Sequence, residues 1–188
     1  MLILKHKSAM PAQIAKRHGE DAVILDLTSK GPEPWVRFSP FYPHGDIPVP
    51  FSEGVVSQSV EGAWQGLKVF ESQDVDLSKM AVTHMRGIKR TVRRLGAVRG
   101  HRRGVRGEEL LGYLEARWEL YLPMYLWVLE NRLQEEVGRL REAAQGERAV
   151  VLLDYETNGS VVDLKKPLSH AALVKRYVEG RWPRREEG

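Results

Sequence analysis

Cysteine is absent from the 188-residue sequence, which excludes disulfides, thiolate catalysis and cysteine-ligated metal ions. Long hydrophobic runs are absent as well. The apolar run in the first ten residues, MLILKHKSAM, is too short for a signal peptide, and no stretch of the sequence reaches the length of a membrane span. We therefore expect a cytoplasmic protein that has no membrane partner.

Several familiar catalytic patterns are also missing. The glycines between residues 96 and 107 match neither nucleotide-binding fingerprint, and no serine lies in a nucleophile-elbow motif. The six histidines are scattered along the chain, so the sequence predicts no metal site. Carboxylates, amides and basic side chains near aromatic rings remain as candidates for chemistry.

Acidic residues are missing from one long segment, residues 77–107, although the net charge of the whole chain is only +4. Such a one-signed segment attracts anions: phosphates of a small molecule, phosphates of a nucleic acid, or carboxylates elsewhere on the fold, such as those of the Glu-rich segment 130–147. The basic residues of this segment are Lys79, Arg86, Lys89, Arg90, Arg93, Arg94, Arg99, Arg102, Arg103 and Arg106.

What is present predicts an ordinary globular fold. The chain is 42% hydrophobic and 29% charged, and its length predicts one domain over residues 1–183 with a frayed tail at 184–188. Helical periodicity and short apolar runs together predict an α+β class, mainly helical with a few short strands. We expect helices at 11–18, 59–70, 108–144 (broken or kinked at Pro123), 167–180 and the first half of the basic segment, strands at 22–27 and 149–155, and a loop over 95–107.

Residues 31–54 combine six prolines with several aromatic side chains. This proline density excludes a long regular element, whereas a disordered linker would not contain so many aromatics. The segment is therefore predicted to be an ordered loop, and loops of this kind often line sites.

The segment SVEGAWQGLKVF, residues 59–70, carries two stripes if it is helical. One stripe is apolar, and the other contains Glu61, Gln65 and Lys68. Gly62 and Gly66 lie on a third face and predict the close approach of another backbone. The polar stripe is either a solvated face beside a core face or a set of groups directed into a site.

Two apolar segments, AVILDLTSKG and VVLLDYETNG, each place an aspartate near the end of a predicted strand. These residues are Asp26 and Asp154. Side chains at strand ends emerge beside loops, so both carboxylates are candidates for a site. Similar strand composition explains the likeness of the two segments more simply than a duplication does.

The segments FSPFYP (38–43) and SVEGAWQGLKVF together resemble the NADAR family, which comprises N-glycosidases acting on riboflavin-biosynthesis intermediates and on ADP-ribosylated targets. That family has a Ser-Asn-Phe-Tyr-Pro-like segment, then a helix with Glu, Gln four residues later and Lys seven residues later. Pro40 replaces the Asn here, and the resemblance covers roughly residues 35–71. The family's C-terminal Asp-x-x-Trp-Gly element is absent, and Asp154, Asn158 and Asp163 are candidates to replace it.

The resemblance implies hydrolysis of an N-glycosidic bond through an oxocarbenium-like transition state, without a metal or organic cofactor. It implies a small phosphorylated, nucleotide-like ligand, walled by aromatic rings and held by basic side chains. The implied catalytic residues are Glu61, Lys68 and Asp154, and the implied substrate-binding residues are Trp35, Arg37, Phe41, Tyr42, Gln65, Arg86, Lys89, Arg90 and Asn158.

Two other functions stay open. The basic segment could bind a nucleic acid, including an ADP-ribosylated one, or the chain could be a non-catalytic relative that only binds a nucleotide-like ligand. Structural interpretations also stay open for several residues: Trp64 as core, His170 as a capping or packing residue, and Asp154 and Asn158 as turn residues. The oligomeric state is not predicted.

Overall fold

The computed structural model describes residues 1–185, so most of the predicted frayed tail lies outside the described residues. The fold is α+β, with ~36% helix and ~15% strand, which confirms the predicted class. It divides into two compact units. We call Met1–Ser39 together with the residues from Leu133 onward the terminal unit, and Pro40–Arg132 the central unit.

A three-stranded parallel sheet organises the terminal unit. Strand β8 (Val150–Asp154) lies in the middle, between β1 (Leu2–His6) and β2 (Val23–Asp26). Leu2 and Val23 both pair with Val150. Every residue of β8 is buried, as expected for a strand covered on both faces. The predicted strands at 22–27 and 149–155 are confirmed, whereas β1 was not predicted.

Three helices complete the terminal unit: α1 (Pro11–His18), α6 (Gln134–Gln145) and α7 (His170–Val178), with a 3-10 turn at Trp35–Phe38. The predicted start of α1 at a proline and its end before a glycine are confirmed, since Gly19 has a φ of +100°. The last helix begins at residue 170 rather than 167, because Ser169 caps it.

The central unit contains two small antiparallel sheets and short helices. Its strands are β3 (Ile47–Pro48) paired with β4 (Val56–Ser57), and β5 (Lys68–Phe70), β6 (Val98–Arg102) and β7 (Leu110–Leu111) in that order. Its helical elements are α2 (Val60–Leu67), a 3-10 turn at Leu77–Lys79, α3 (Val92–Leu95), α4 (Tyr113–Ala116), a π turn at Arg117–Tyr121 and α5 (Leu122–Asn131).

The predicted helix over 59–70 is too long. Helix α2 ends at Leu67, and Lys68 adopts an extended conformation that begins β5. Val69 is β-branched and Phe70 is aromatic, and both residue types favour strands. They pair with the strand β6, which provides the hydrogen bonds of a sheet. The placement of Lys68 on a helical stripe is therefore wrong, although its position at the helix end keeps it near α2.

The prediction for the basic segment is also wrong. Its first half contains the four-residue α3 instead of a longer helix, and the predicted loop over 95–107 contains β6. Strand β6 is paired on both sides, by β5 and by β7. Its partner β5 lies far earlier in the sequence, so local glycine punctuation could not reveal the strand.

The predicted helix over 108–144 begins later and breaks elsewhere. Strand β7 occupies Leu110–Leu111, and the helical run continues through Pro123. Pro123 lies in the first turn of α5, directly after the π turn, where the loss of one backbone N–H is tolerated. The actual interruption falls at Arg132–Leu133, between α5 and α6.

None of the helices within residues 1–185 combines the length and the apolar character that crossing a bilayer requires.

Candidate ligand-binding site

Helix α2 is fixed in place by its cap and by two glycines. The Ser59 hydroxyl accepts a hydrogen bond from the Gly62 N–H, at 3.0 Å. A Cβ on Gly62 would lie 2.7 Å from the Lys79 carbonyl oxygen, and one on Gly66 would lie 2.8 Å from the Met80 side chain. The predicted close approach is confirmed, and only glycine permits it at these two positions.

Every residue of α2 is buried, including Glu61 and Gln65, which have 9% and 5% of their surfaces exposed. The Gln65 amide Nε2 donates to the Glu61 Oε1 at 2.9 Å. The interpretation of this stripe as a solvated face is therefore wrong. Burial raises the pKa of Glu61, and the hydrogen bond from Gln65 and the charges of Lys68 and Lys89 only partly oppose that effect.

Lys68 remains beside this pair from the first position of β5. Burial lowers the pKa of its ammonium group, which the charge of Glu61 partly offsets. Its Nζ lies 6.0 Å from the centroid of the Trp64 ring. A carboxyl, an amide and an amine thus lie together, although a helix end rather than one continuous helix brings them there.

An aromatic cluster adjoins these polar groups. The Trp64 ring lies 3.9 Å from that of His101, 5.9 Å from Tyr113 and 5.7 Å from Tyr121, measured between centroids. Trp64 is buried, in keeping with its interpretation as a core residue. Its ring nevertheless forms a wall beside Lys68.

His101 is the residue that sequence reasoning missed. It is 1% exposed, lies opposite Lys68 in the β5–β6 register, and neither ring nitrogen has a hydrogen-bond partner among the described residues. Burial, with a contribution from the charge of Lys68, lowers its pKa to about 3, so the ring is neutral at physiological pH. Its only sequence signal is a histidine within a basic run, which says nothing about burial.

The Arg90 guanidinium donates hydrogen bonds to backbone carbonyl groups of the protein. Its nitrogens donate to the carbonyl oxygens of Lys68 at 2.5 Å, Gln65 at 3.0 Å and Asp74 at 2.8 Å. Its backbone N–H also donates to the Gln65 Oε1 at 3.0 Å, which fixes the orientation of that amide. These contacts favour a structural role over the predicted phosphate contact.

The FYP segment lies in the same unit. The Glu61 N–H donates to the Pro40 carbonyl oxygen at 2.8 Å, which ties the segment to the start of α2. The Lys89 Nζ lies 5.4 Å from the centroid of the Phe41 ring, and the Tyr42 and His44 rings lie 4.8 Å apart. Arg86 is exposed.

Four of the predicted site residues lie in the terminal unit. Trp35 stacks on Phe38, with ring centroids 6.3 Å apart, and Arg37 forms an ion pair with the buried Glu136. The Asn158 side chain stabilises a turn. Its Nδ2 donates to the carbonyl oxygens of residues 163 and 166, and its Oδ1 accepts from the N–H of residue 160. These contacts are structural.

Asp154 is the fourth of these residues and is almost fully buried. Its Oδ2 accepts from the Ser169 hydroxyl at 2.7 Å and from the Ala171 N–H at 3.3 Å, and its Oδ1 accepts from the Tyr155 N–H at 2.7 Å. The His170 Nδ1 lies 3.1 Å from the Oδ2. Asp154 therefore ties the end of β8 to the start of α7, which favours a structural role over the predicted catalytic one.

Part of the basic segment pairs with carboxylates of the central unit. Arg99 pairs with Glu71, Arg102 with Asp74, and Arg103 with two further glutamates. Four exposed arginines have no side-chain partner among the described residues. They are Arg86, Arg93, Arg94 and Arg106.

The site is thus a buried carboxyl–amide–amine cluster beside an aromatic wall, in an α+β protein. Among the described residues, no group of three or more His, Asp or Glu side chains is placed to hold a metal ion. The family to which the chain belongs matches it over residues 6–174 and is described as a family of unknown function, DUF6939. Neither a curated protein nor a solved structure matches the chain.

Proposed function

We propose that this protein is an N-glycosidase-like hydrolase that acts on a phosphorylated ribosyl or ADP-ribosyl substrate. The observation that carries the proposal is the desolvated carboxyl group of Glu61, held by an amide whose own orientation is fixed. A carboxyl group with a raised pKa, next to an amine with a lowered pKa, is typical of sites that exchange protons. The resemblance of residues 35–71 to the NADAR family supports the same reaction class.

In this mechanism the bond between the ribose C1 and the base nitrogen breaks, and its electron pair leaves with the base. Positive charge develops on the ribose, and the Glu61 carboxylate stabilises it. Water then adds to C1 and gives a proton to Glu61, which passes it to the departing nitrogen. Atoms and charge balance without a cofactor.

Within the central unit, each neighbouring group has a role in this proposal. Gln65 holds the Glu61 carboxylate, and Lys68 favours its ionised form. Phe41 and Tyr42 wall the base, and Lys89 and Arg86 contact phosphate. Arg90 acts as a positioning residue, because its N–H orients the Gln65 amide.

The test is turnover by Glu61→Gln. The protein is incubated with a phosphoribosylamino-pyrimidine or an ADP-ribosylated base, and released ribose 5-phosphate or ADP-ribose is measured. We expect the variant to lose about 100-fold or more in rate, the usual contribution of a positioned acid or base. Glu53→Gln, on an exposed residue of the same unit, is the control.

Equal turnover by Glu61→Gln and by the unaltered protein would contradict the mechanism. Binding of ADP-ribose without turnover by the unaltered protein would instead identify a non-catalytic relative.

A second candidate function is nucleic-acid binding, favoured by the four exposed, unpaired arginines of the basic segment. Its test is the affinity for a generic RNA or DNA duplex over a range of salt concentrations. Nucleic-acid binding predicts a steep loss of affinity with salt and a shallower slope for the double variant Arg93→Gln, Arg94→Gln. A double variant Arg148→Gln, Lys165→Gln, on exposed residues of the terminal unit, matches the change in charge.

A further inference from the structure

A basic cleft of about 500 Å³ lies in the terminal unit, between α1 and the strand β1. Lys5 contributes from the strand, and Gln13, Lys16, Arg17 and His18 contribute from the helix. Among the residues that the structure describes, no carboxylate lines the cleft. The Glu61 cluster belongs to the central unit, so this cleft is a different feature of the molecule.

Within residues 1–185, the cations of the cleft have no counter-ion. No hydrogen bond or ion pair joins the side chains of Lys5, Lys16 or Arg17 to another group of residues 1–185. The buried Nε2 of His18 likewise has no partner there. Three like charges that converge without a carboxylate repel each other, and a bound anion would relieve that repulsion.

The helix dipole explains only part of this arrangement. Basic residues in the last turn of a helix are stabilised by the partial negative charge of its carbonyl groups, which accounts for Lys16, Arg17 and His18. It does not account for Lys5, which comes from another element and reaches the same cleft.

The chemistry of the lining indicates the class of ligand. A guanidinium with two ammonium groups suits phosphate, since the guanidinium can bind two phosphate oxygens at once. Ala9 and Ile14 provide an apolar floor, and the Gln13 amide can hydrogen-bond a hydroxyl. The volume falls in the range of small-molecule pockets and exceeds what one phosphate needs.

We propose that this cleft binds a phosphorylated small organic molecule, held through its phosphate by Lys5, Lys16 and Arg17. The site is independent of the proposed hydrolase activity.

The experiment is isothermal titration calorimetry of the full chain with glycerol 3-phosphate, which is not a product of the proposed hydrolase, and, separately, with inorganic phosphate. We expect saturable binding of glycerol 3-phosphate, tighter than that of inorganic phosphate because the floor and Gln13 contribute. The double variant Lys16→Gln, Arg17→Gln should bind glycerol 3-phosphate about tenfold more weakly or worse, a loss of about 1.4 kcal/mol.

Two further variants separate a built site from general electrostatics. Arg148→Gln, Lys165→Gln removes the same charge from exposed positions of the same unit and should leave the affinity unchanged. Gln13→Trp leaves the charge unchanged but fills the cleft, so it should abolish binding.

Four outcomes would overturn the proposal: no saturable binding, equal affinity for inorganic phosphate, equal weakening in the two charge-removing double variants, or normal binding by Gln13→Trp. Circular dichroism establishes that each variant is folded.

Discussion

Two buried carboxyl groups, one in each unit, differ sharply in their surroundings. Asp154 accepts hydrogen bonds from a hydroxyl and two backbone N–H groups and faces the His170 ring, whereas the Glu61 side chain accepts one hydrogen bond, from Gln65, among the described residues. Hydrogen bonds therefore offset the desolvation cost of burying Asp154. They offset much less of the desolvation cost of burying Glu61. Burial alone therefore does not distinguish the two carboxyl groups, whereas their hydrogen bonding does.

His101 belongs with Glu61 in this comparison, because it too is buried without full compensation. Its ring lies against Trp64 and opposite Lys68, and the charge of Lys68 acts on both His101 and Glu61, so the two groups share one neighbourhood. Such concentration is expected where a protein gives up stability for binding or catalysis.

The largest expected effect comes from disrupting the hydrogen bonds of Asp154, the carboxyl group with the more complete set of donors. Asp154→Asn replaces an acceptor with a donor that faces donors, and we expect it to lower the free energy of unfolding by about 3 kcal/mol or more. Urea unfolding measures this loss. Asp21→Asn, on an exposed residue of the same unit, is the control. A loss below about 0.5 kcal/mol would mean that the hydrogen bonds of Asp154 do not compensate its burial.

His101→Phe tests the incompletely bonded ring through its pH dependence. The folded state holds His101 neutral, with a pKa of about 3, whereas in the unfolded chain the imidazole has its ordinary pKa of 6.5. The unfolded state therefore binds more protons between these values, so the contribution of His101 to stability is complete above pH 6.5 and is lost as the pH falls toward 3.

At pH 4.5, two units below the pKa of 6.5 in the unfolded chain, we expect this contribution to have fallen by about 3 kcal/mol, because each pH unit corresponds to about 1.4 kcal/mol. His101→Phe should lose less stability than the unaltered protein between pH 7 and pH 4.5, as measured by urea unfolding followed by tryptophan fluorescence. His84→Phe, on an exposed histidine of the same unit, should keep the original difference. Parallel pH profiles for His101→Phe and the unaltered protein would show that this ring is protonated in the folded state.

Glu61→Gln should have a smaller effect, of opposite sign to that of Asp154→Asn. The folded-state pKa of Glu61 is raised above 4.5, so the folded state binds more protons than the unfolded chain just above that pH. Stability therefore falls as the pH rises through this window. We expect Glu61→Gln to be more stable than the unaltered protein at pH 8 and equal to it at pH 4, as urea unfolding measures. If Glu61→Gln were instead destabilised at pH 8, the burial of the Glu61 carboxylate would be compensated by its contacts, as the burial of Asp154 is.

The contrast between the two carboxyl groups also marks the limit of sequence reasoning. The periodicity of α2 and the glycines at 62 and 66 correctly predicted the helix and its close packing, since these depend on local spacing. The extended conformation of Lys68 and the strand β6 depend on partners far along the chain, so local patterns missed both. Nothing in the sequence distinguishes the bonding of Asp154 from that of Glu61, because the donors to Asp154 come mainly from the start of another helix.

The smallest expected effect sharpens the description of the Glu61 site. The charge of Lys68 lowers the pKa of Glu61 against the effect of burial, so Lys68→Met should raise that pKa further. NMR titration of the Glu61 carboxyl carbon measures the change, with Arg86→Met as the control, since Arg86 is not among the groups that shift this pKa. An unchanged titration would mean that Lys68 and Glu61 are electrostatically independent, and only Lys89 and Gln65 would then oppose the effect of burial on Glu61.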